Sequence, residues 1–171
     1  MLDIMKLLQP NLWVDNLHEI PLQQLQTIGI RGLMIDIDNT LVAWDKSEPA
    51  TEVRQWVADA RALGFQVVLV SNNHSLRVDE MQAFFMVHGF SKAKKPTLGT
   101  LKKAIRLMGF QRQQVAMIGD QIFTDVLGGN RLGVYTILVT PIKSKEFWWT
   151  TLVRPLEARV LHRMKKFRNS G

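Results

Sequence analysis

Four short apolar runs, separated by longer stretches of helical period, restrict this chain to few architectures. The runs are Gly32 to Ile35, Val67 to Val70, Val115 to Ile118 and Val134 to Val139. They are apolar at successive rather than alternate positions and rich in β-branched residues, as strands buried on both faces of a parallel sheet are. Between the first two, Val53, Trp56, Val57, Ala60 and Leu63 recur at spacings of three and four, which predicts a helix over Glu52 to Leu63 stopped at Gly64. The same reading predicts helices over Leu76 to His88 with Gly89 as the stop, Leu98 to Met108 with Gly109, and Phe123 to Leu127. Gly128, Gly129 and Asn130 then read as a C-cap and turn, and a short strand is expected before Lys95. Strand, helix, strand with short connections implies right-handed crossovers and a three-layer, Rossmann-like α/β fold: a parallel sheet with helices on both faces. A ligand belongs at the carboxyl ends of such strands.

The 171 residues, 46% of them hydrophobic, suffice for one substantial core, and no repeat or linker divides them. A single domain spanning 1–171 is expected, with a catalytic core over about 30–142 and a basic amphipathic segment over 143–171. The first thirty residues, with Trp13, could pack on the body, on a partner or on lipid. With no cysteine there is neither a disulfide framework nor a thiolate nucleophile. No run approaches the roughly 18 apolar residues of a spanning helix, so the chain reads as cytoplasmic or at most peripheral to a membrane. The net charge of +7 is concentrated after residue 142, where eight Lys/Arg stand against Glu146 and Glu157. That segment also carries Phe147, Trp148 and Trp149, then Val153, Leu156, Val160, Leu161 and Met164. It fits either a terminal helix docked on the sheet or an anchor at the inner face of an anionic membrane, where each basic residue contributes about 1 kcal/mol. Nucleic acid is not the expected partner, and the oligomeric state is not encoded.

Polar residues follow the strands immediately. Asp36 and Asp38 follow the first run, Ser71, Asn72 and Asn73 the second, and Gly119 and Asp120 the third. Two residues apart in extended chain, the Asp36 and Asp38 carboxylates point to one side, while Ile37 points into the core. With Asp120 and Asp125 added, so much negative charge requires a cation. Mg²⁺ suits it, being a hard ion commonly held by a couple of carboxylates together with substrate phosphate.

The segments Asp-Ile-Asp-Asn-Thr-Leu-Val, Val-Ser-Asn-Asn, Lys-Ala-Lys-Lys-Pro and Ile-Gly-Asp-Gln-Ile-Phe-Thr-Asp resemble the four motifs of the haloacid dehalogenase (HAD) superfamily, and within it the capless, subfamily IIIA phosphatases of the YqeG type. The resemblance implies a Mg²⁺-dependent phosphomonoester hydrolase. Asp36 would be the nucleophile that becomes phosphorylated, and Asp38 the acid and then the base, with its backbone carbonyl on the metal. Ser71, Asn72 and Thr40 would bind the substrate phosphate, and Lys95 would neutralise charge. Asp120 and Asp125, with Asp36 and Asp38, would serve the metal. Either Lys94 or Lys95 could be the motif lysine; the following proline favours Lys95.

The intervals Leu41 to Phe65 and Asn73 to Lys95 leave little room for a lid domain, so no large cap is expected and the pocket should admit bulky substrates. This branch is similar to phosphatidylglycerophosphate phosphatase, which makes a phospholipid substrate the favoured one. Trp44, in the flap after the nucleophile, could touch substrate or staple the flap to the body. His74 reads as a surface residue near the site. Two alternatives stay open: a HAD phosphatase of another macromolecular or soluble phosphomonoester, and a non-catalytic, receiver-like phospho-binding module.

Overall fold

The structure is a computed structural model and describes residues 2–142; the basic C-terminal segment, and the expectations placed on it, lie outside the described residues. Among the described residues six parallel strands form one sheet. In chain order the strands are β1 (Leu12–Val14), β2 (Gly32–Ile35), β3 (Gln66–Val70), β4 (His88–Phe90), β5 (Val115–Gly119) and β6 (Tyr135–Val139). Their spatial order is β1-β6-β5-β2-β3-β4, all neighbours parallel. The chain winds outward from β2 through β3 to β4, then returns to β5 on the other side of β2. The crevice between β2 and β5 is therefore the point where the winding reverses, where α/β sheets bind ligands.

Period-two alternation sorts the strand residues into two cores. Leu33, Ile35, Val67, Leu69, Ala116 and Ile118 face one side, packed with Val53, Trp56, Val57 and Ala60 of α3 (Thr51–Ala62) and Val78, Met81 and Phe85 of α4 (Ser75–Phe85). Met34, Val68, Val70, Val115 and Met117 face the other, against Leu101, Ala104 and Met108 of α5 (Leu98–Met108) and Leu132 of α6 (Leu127–Leu132). The three-layer architecture is that expected from the sequence, with no cap domain among the described residues.

Residues 2–30 pack on this body. After α1 (Leu2–Leu7), β1 extends the sheet beyond β6, and Leu22 and Leu25 of α2 (Leu22–Thr27) join the first core with Leu17 and Ile20. The Trp56 indole N–H donates to the Ile20 carbonyl at 3.1 Å and locks that segment to α3. The starting segment is short in strand and broken by polar residues, so its pairing with β6 has no periodic signature.

Two expectations about glycine are corrected by the packing. The helix over 75–85 stops at Met86, which takes the left-handed conformation at φ 51, and Gly89 lies inside β4. A Cβ at Gly89 would meet Val78 Cγ1 at 2.7 Å, so this glycine serves close helix-on-sheet packing. Gly128 and Gly129 lie within α6 rather than in a cap; a Cβ on Gly129 would meet Met117 Cβ at 3.1 Å. Ahead of them, Ile122–Val126 form a single π-helical turn that runs directly into α6.

Candidate active site

Each of β2, β3 and β5 is followed immediately by a polar residue at the carboxyl edge of the sheet. Asp36 follows Ile35, Ser71 follows Val70, and Asp120 follows Gly119; all three are buried. Lys95 reaches the same place from the loop before α5. Its ammonium contacts Asp36 Oδ1 at 2.5 Å and Asp125 Oδ1 at 2.7 Å, and donates to the Val70 carbonyl at 2.8 Å. Lys95 is 6% exposed, whereas Lys94 beside it is exposed.

Asp36, Asp120 and Asp125 each offer one carboxylate oxygen, and these oxygens lie within 4.8 Å of one another. Burial pushes the Asp36 carboxyl up to about 7; the Lys95 charge pulls it down, but Asp125 and Asp38 push further upward. Burial alone would lower the Lys95 ammonium, yet the Asp125 and Asp36 carboxylates outweigh it and hold the group above its usual value. Three buried carboxylates therefore lie together, and the Lys95 ammonium pairs with two of them, Asp36 and Asp125. An oxygen-only donor set with surplus negative charge fits a hard divalent ion.

Two local features hold Asp125 in place. The π turn sets its carboxylate so that Oδ2 accepts from the Gln121 N–H at 3.1 Å. Gly119 supplies the space, since a Cβ there would fall inside the Asp125 carboxylate. In the sequence Gly119 stands out only as a strand-end residue, with no sign of this role.

Asp36 and Asp38 both line the cavity, and Ile37 between them is fully buried. Asp38, however, does not belong to the carboxylate cluster of Asp36, Asp120 and Asp125. Its carboxylate accepts from Arg77 Nε and from Asn73 Nδ2, both at 3.3 Å. Of the four carboxylates expected to converge, three do so; the Asp38 side chain, whose backbone carbonyl is the group expected on the metal, is held at the rim by Arg77 and Asn73. Thr40, placed with the phosphate-binding residues by sequence, is 1% exposed and is not among the residues lining the cavity. The tight turn in which the Thr40 and Leu41 amides both donate to the Ile37 carbonyl takes it inward.

Ser71 Oγ accepts from the Asn73 N–H at 3.0 Å and lines the cavity. The Asn72 side chain instead holds the lysine loop, its Oδ1 accepting from the Lys95 N–H at 2.7 Å and its Nδ2 donating to the Lys95 carbonyl at 3.2 Å. That reciprocal pair fixes the lysine backbone. The cavity, about 410 Å³, is completed by Asn39, Trp44, His74, Gln121 and Thr124. Trp44 is half-buried in its wall, and His74 is exposed at its edge.

Arg77 is a site residue that the sequence reading does not single out. A signal for it exists: it is the third residue of α4, and a cation in the first turn of a helix opposes the helix dipole unless something holds it there.

Comparison with known proteins shows the family. Residues 92–146 match the HAD-hydrolase-like family. The probable phosphatase YqeG of Bacillus subtilis is 35% identical over 161 residues, covering 94% of both chains. The chain belongs to the YqeG-type phosphatases of the HAD superfamily. A second relative of this HAD phosphatase is the Arabidopsis thaliana phosphatidylglycerophosphate phosphatase 1, chloroplastic/mitochondrial, 27% identical over 90% of the chain; the match spans 47% of that longer protein. Among solved structures, the cobalt-bound deoxy-D-mannose-octulosonate 8-phosphate phosphatase of Haemophilus influenzae aligns with a TM-score of 0.52 at 16% identity, covering 65% of this chain and 68% of its own, and shares the fold. As a phosphatase of this family, the chain acts on a phosphate ester.

Proposed function

We propose that this HAD phosphatase hydrolyses its phosphomonoester through an aspartyl-phosphate on Asp36 with Mg²⁺ as cofactor, and that phosphatidylglycerophosphate is its preferred substrate. The observation that carries the reading is the Lys95 ammonium held between Asp36 and Asp125 at the floor of an open cavity. An Asp36 oxygen attacks phosphorus as the bond to the leaving oxygen breaks, and Asp38 gives that oxygen its proton. Asp38 then takes a proton from the water that attacks the phosphoryl group, releasing inorganic phosphate and restoring Asp36. Ser71 Oγ and the Asn72 backbone hold phosphoryl oxygens, and Lys95 offsets their charge. Asp36, Asp120, Asp125 and the Asp38 main-chain carbonyl would hold Mg²⁺, which would supply further positive charge for the phosphoryl group.

Three facts support the lipid substrate. The cavity has no cap domain over it among the described residues, the Arabidopsis relative is named for that reaction, and residues 143–171 combine eight basic side chains with three adjacent aromatics. Among the described residues no helix is long and apolar enough to cross a membrane. In this proposal the enzyme works at the cytoplasmic side of a membrane, whose inner face the basic and aromatic side chains of residues 143–171 would meet. Phosphate release from phosphatidylglycerophosphate in mixed micelles, compared with a panel of soluble phosphomonoesters with and without a chelator, tests both parts. Preference for a soluble sugar or nucleotide phosphate removes the lipid assignment, and chelation without effect removes the metal.

A further inference from the structure

Arg77 makes three directed contacts behind Asp38, which lines the cavity. Its Nε donates to Asp38 Oδ1 at 3.3 Å, its Nη1 to the Lys46 carbonyl at 2.6 Å and its Nη2 to the Ala43 carbonyl at 3.0 Å. Lys46 and Ala43 belong to the flap that follows Asp38 and carries Trp44. The other Asp38 oxygen is held by Asn73 Nδ2, so each oxygen of this carboxylate has one fixed donor. One planar guanidinium thus joins the flap to Asp38 and both to α4. A lysine at this position, with a single ammonium, cannot present three donors in those three directions.

We propose that Arg77 is a positioning residue for the proton transfer at Asp38: by fixing the carboxyl and the flap as one unit, it aims Asp38 at the oxygen of the departing alcohol. The inference rests on the assignment of Asp38 as general acid. Asp38 enters this step as the carboxylic acid: when the Asp36–phosphorus bond forms and the phosphorus–oxygen bond to the alcohol breaks, its proton passes to that oxygen and leaves the carboxylate that Arg77 and Asn73 hold. An alkoxide is a poor leaving group and depends on the proton; a nitrophenolate departs without one. A residue that orients the acid therefore affects alkyl phosphates selectively, whereas a residue that only stabilises the fold affects both esters alike.

The test measures kcat/KM, which reports the steps up to loss of the alcohol, for glycerol phosphate and for p-nitrophenyl phosphate in saturating Mg²⁺. The proteins are wild type, Asp38→Asn, Arg77→Ala and Arg77→Lys. In Arg77→Ala the alkyl ester is expected to lose about 10²-fold and the nitrophenyl ester less than about fivefold, following the pattern of Asp38→Asn. Arg77→Lys keeps the charge and the stem and shows the same selective loss; it serves alone if the alanine protein does not fold. Equal losses on the two esters, or no loss, overturn the positioning role. If Asp38→Asn itself shows no selectivity, the acid assignment fails instead, so the two failures are told apart.

Discussion

The floor and the rim of the cavity each pair carboxylate with cation, yet they differ in kind. On the floor, Asp36 and Asp125 meet Lys95 with side chains 10%, 2% and 2% exposed; on the rim, Asp38 meets Arg77 with side chains 17% and 16% exposed. On the floor charges are shielded from water and outnumber their cation, so each is energetically tied to the others. Contacts on the rim are longer and partly solvated, so their value lies in direction rather than in strength. Burial thus separates two carboxylates only two residues apart into a shielded floor group, the proposed nucleophile, and a partly solvated rim group, the proposed acid.

Removing each cation probes this difference most severely. Lys95→Met leaves buried carboxylates without their partner and is expected to destabilise the protein by about 4 kcal/mol in urea denaturation. Arg77→Met is expected to cost about 1 kcal/mol, because its ion pair is solvated. Similar costs for the two would erase the distinction.

A second effect has the opposite sign. Because the Asp36 carboxyl is raised to about 7 from 3.8, the folded metal-free protein holds this proton where the unfolded chain releases it. Stability is therefore lost as pH rises from about 4 to 7, and the whole cost is present at pH 8. Asp36→Asn is expected to stabilise the metal-free protein by about 3 kcal/mol at pH 8, with the gain fading as pH falls toward 4. Thermal melts across that range check it.

Smaller still is Gly119→Ala, which forces Asp125 out of place and is expected to weaken metal affinity about 10- to 100-fold by calorimetric titration. Lys94→Ala, on the exposed neighbour of the buried lysine, is expected to change stability by less than about 0.5 kcal/mol and leave turnover unchanged.

How far the sequence reveals the molecule follows the same division. The buried strands announce themselves as apolar runs, and the floor residues lie where those runs stop, so β2, β3, β5 and the placement of Asp36, Ser71 and Asp120 are legible. Rim residues act through side-chain reach between elements distant in sequence: Arg77 meets Lys46 across 31 positions and Asp38 across 39. No periodicity encodes that. Glycines are legible as breaks in pattern but not in purpose, because a cap and a close packing contact look alike until the neighbouring element is placed. Gly64 and Gly109 do take left-handed φ at helix ends, whereas Gly89, Gly128 and Gly129 make room for neighbours.

The central claim is that the floor exists to place a phosphoryl group on Asp36. The direct measurement is acid quenching of the enzyme during turnover, followed by mass analysis of its peptides. The account predicts one phosphoryl mass on the peptide containing Asp36, lost in Asp36→Asn and absent under chelation. A phosphorylated residue elsewhere, or steady turnover by Asp36→Asn, would contradict it.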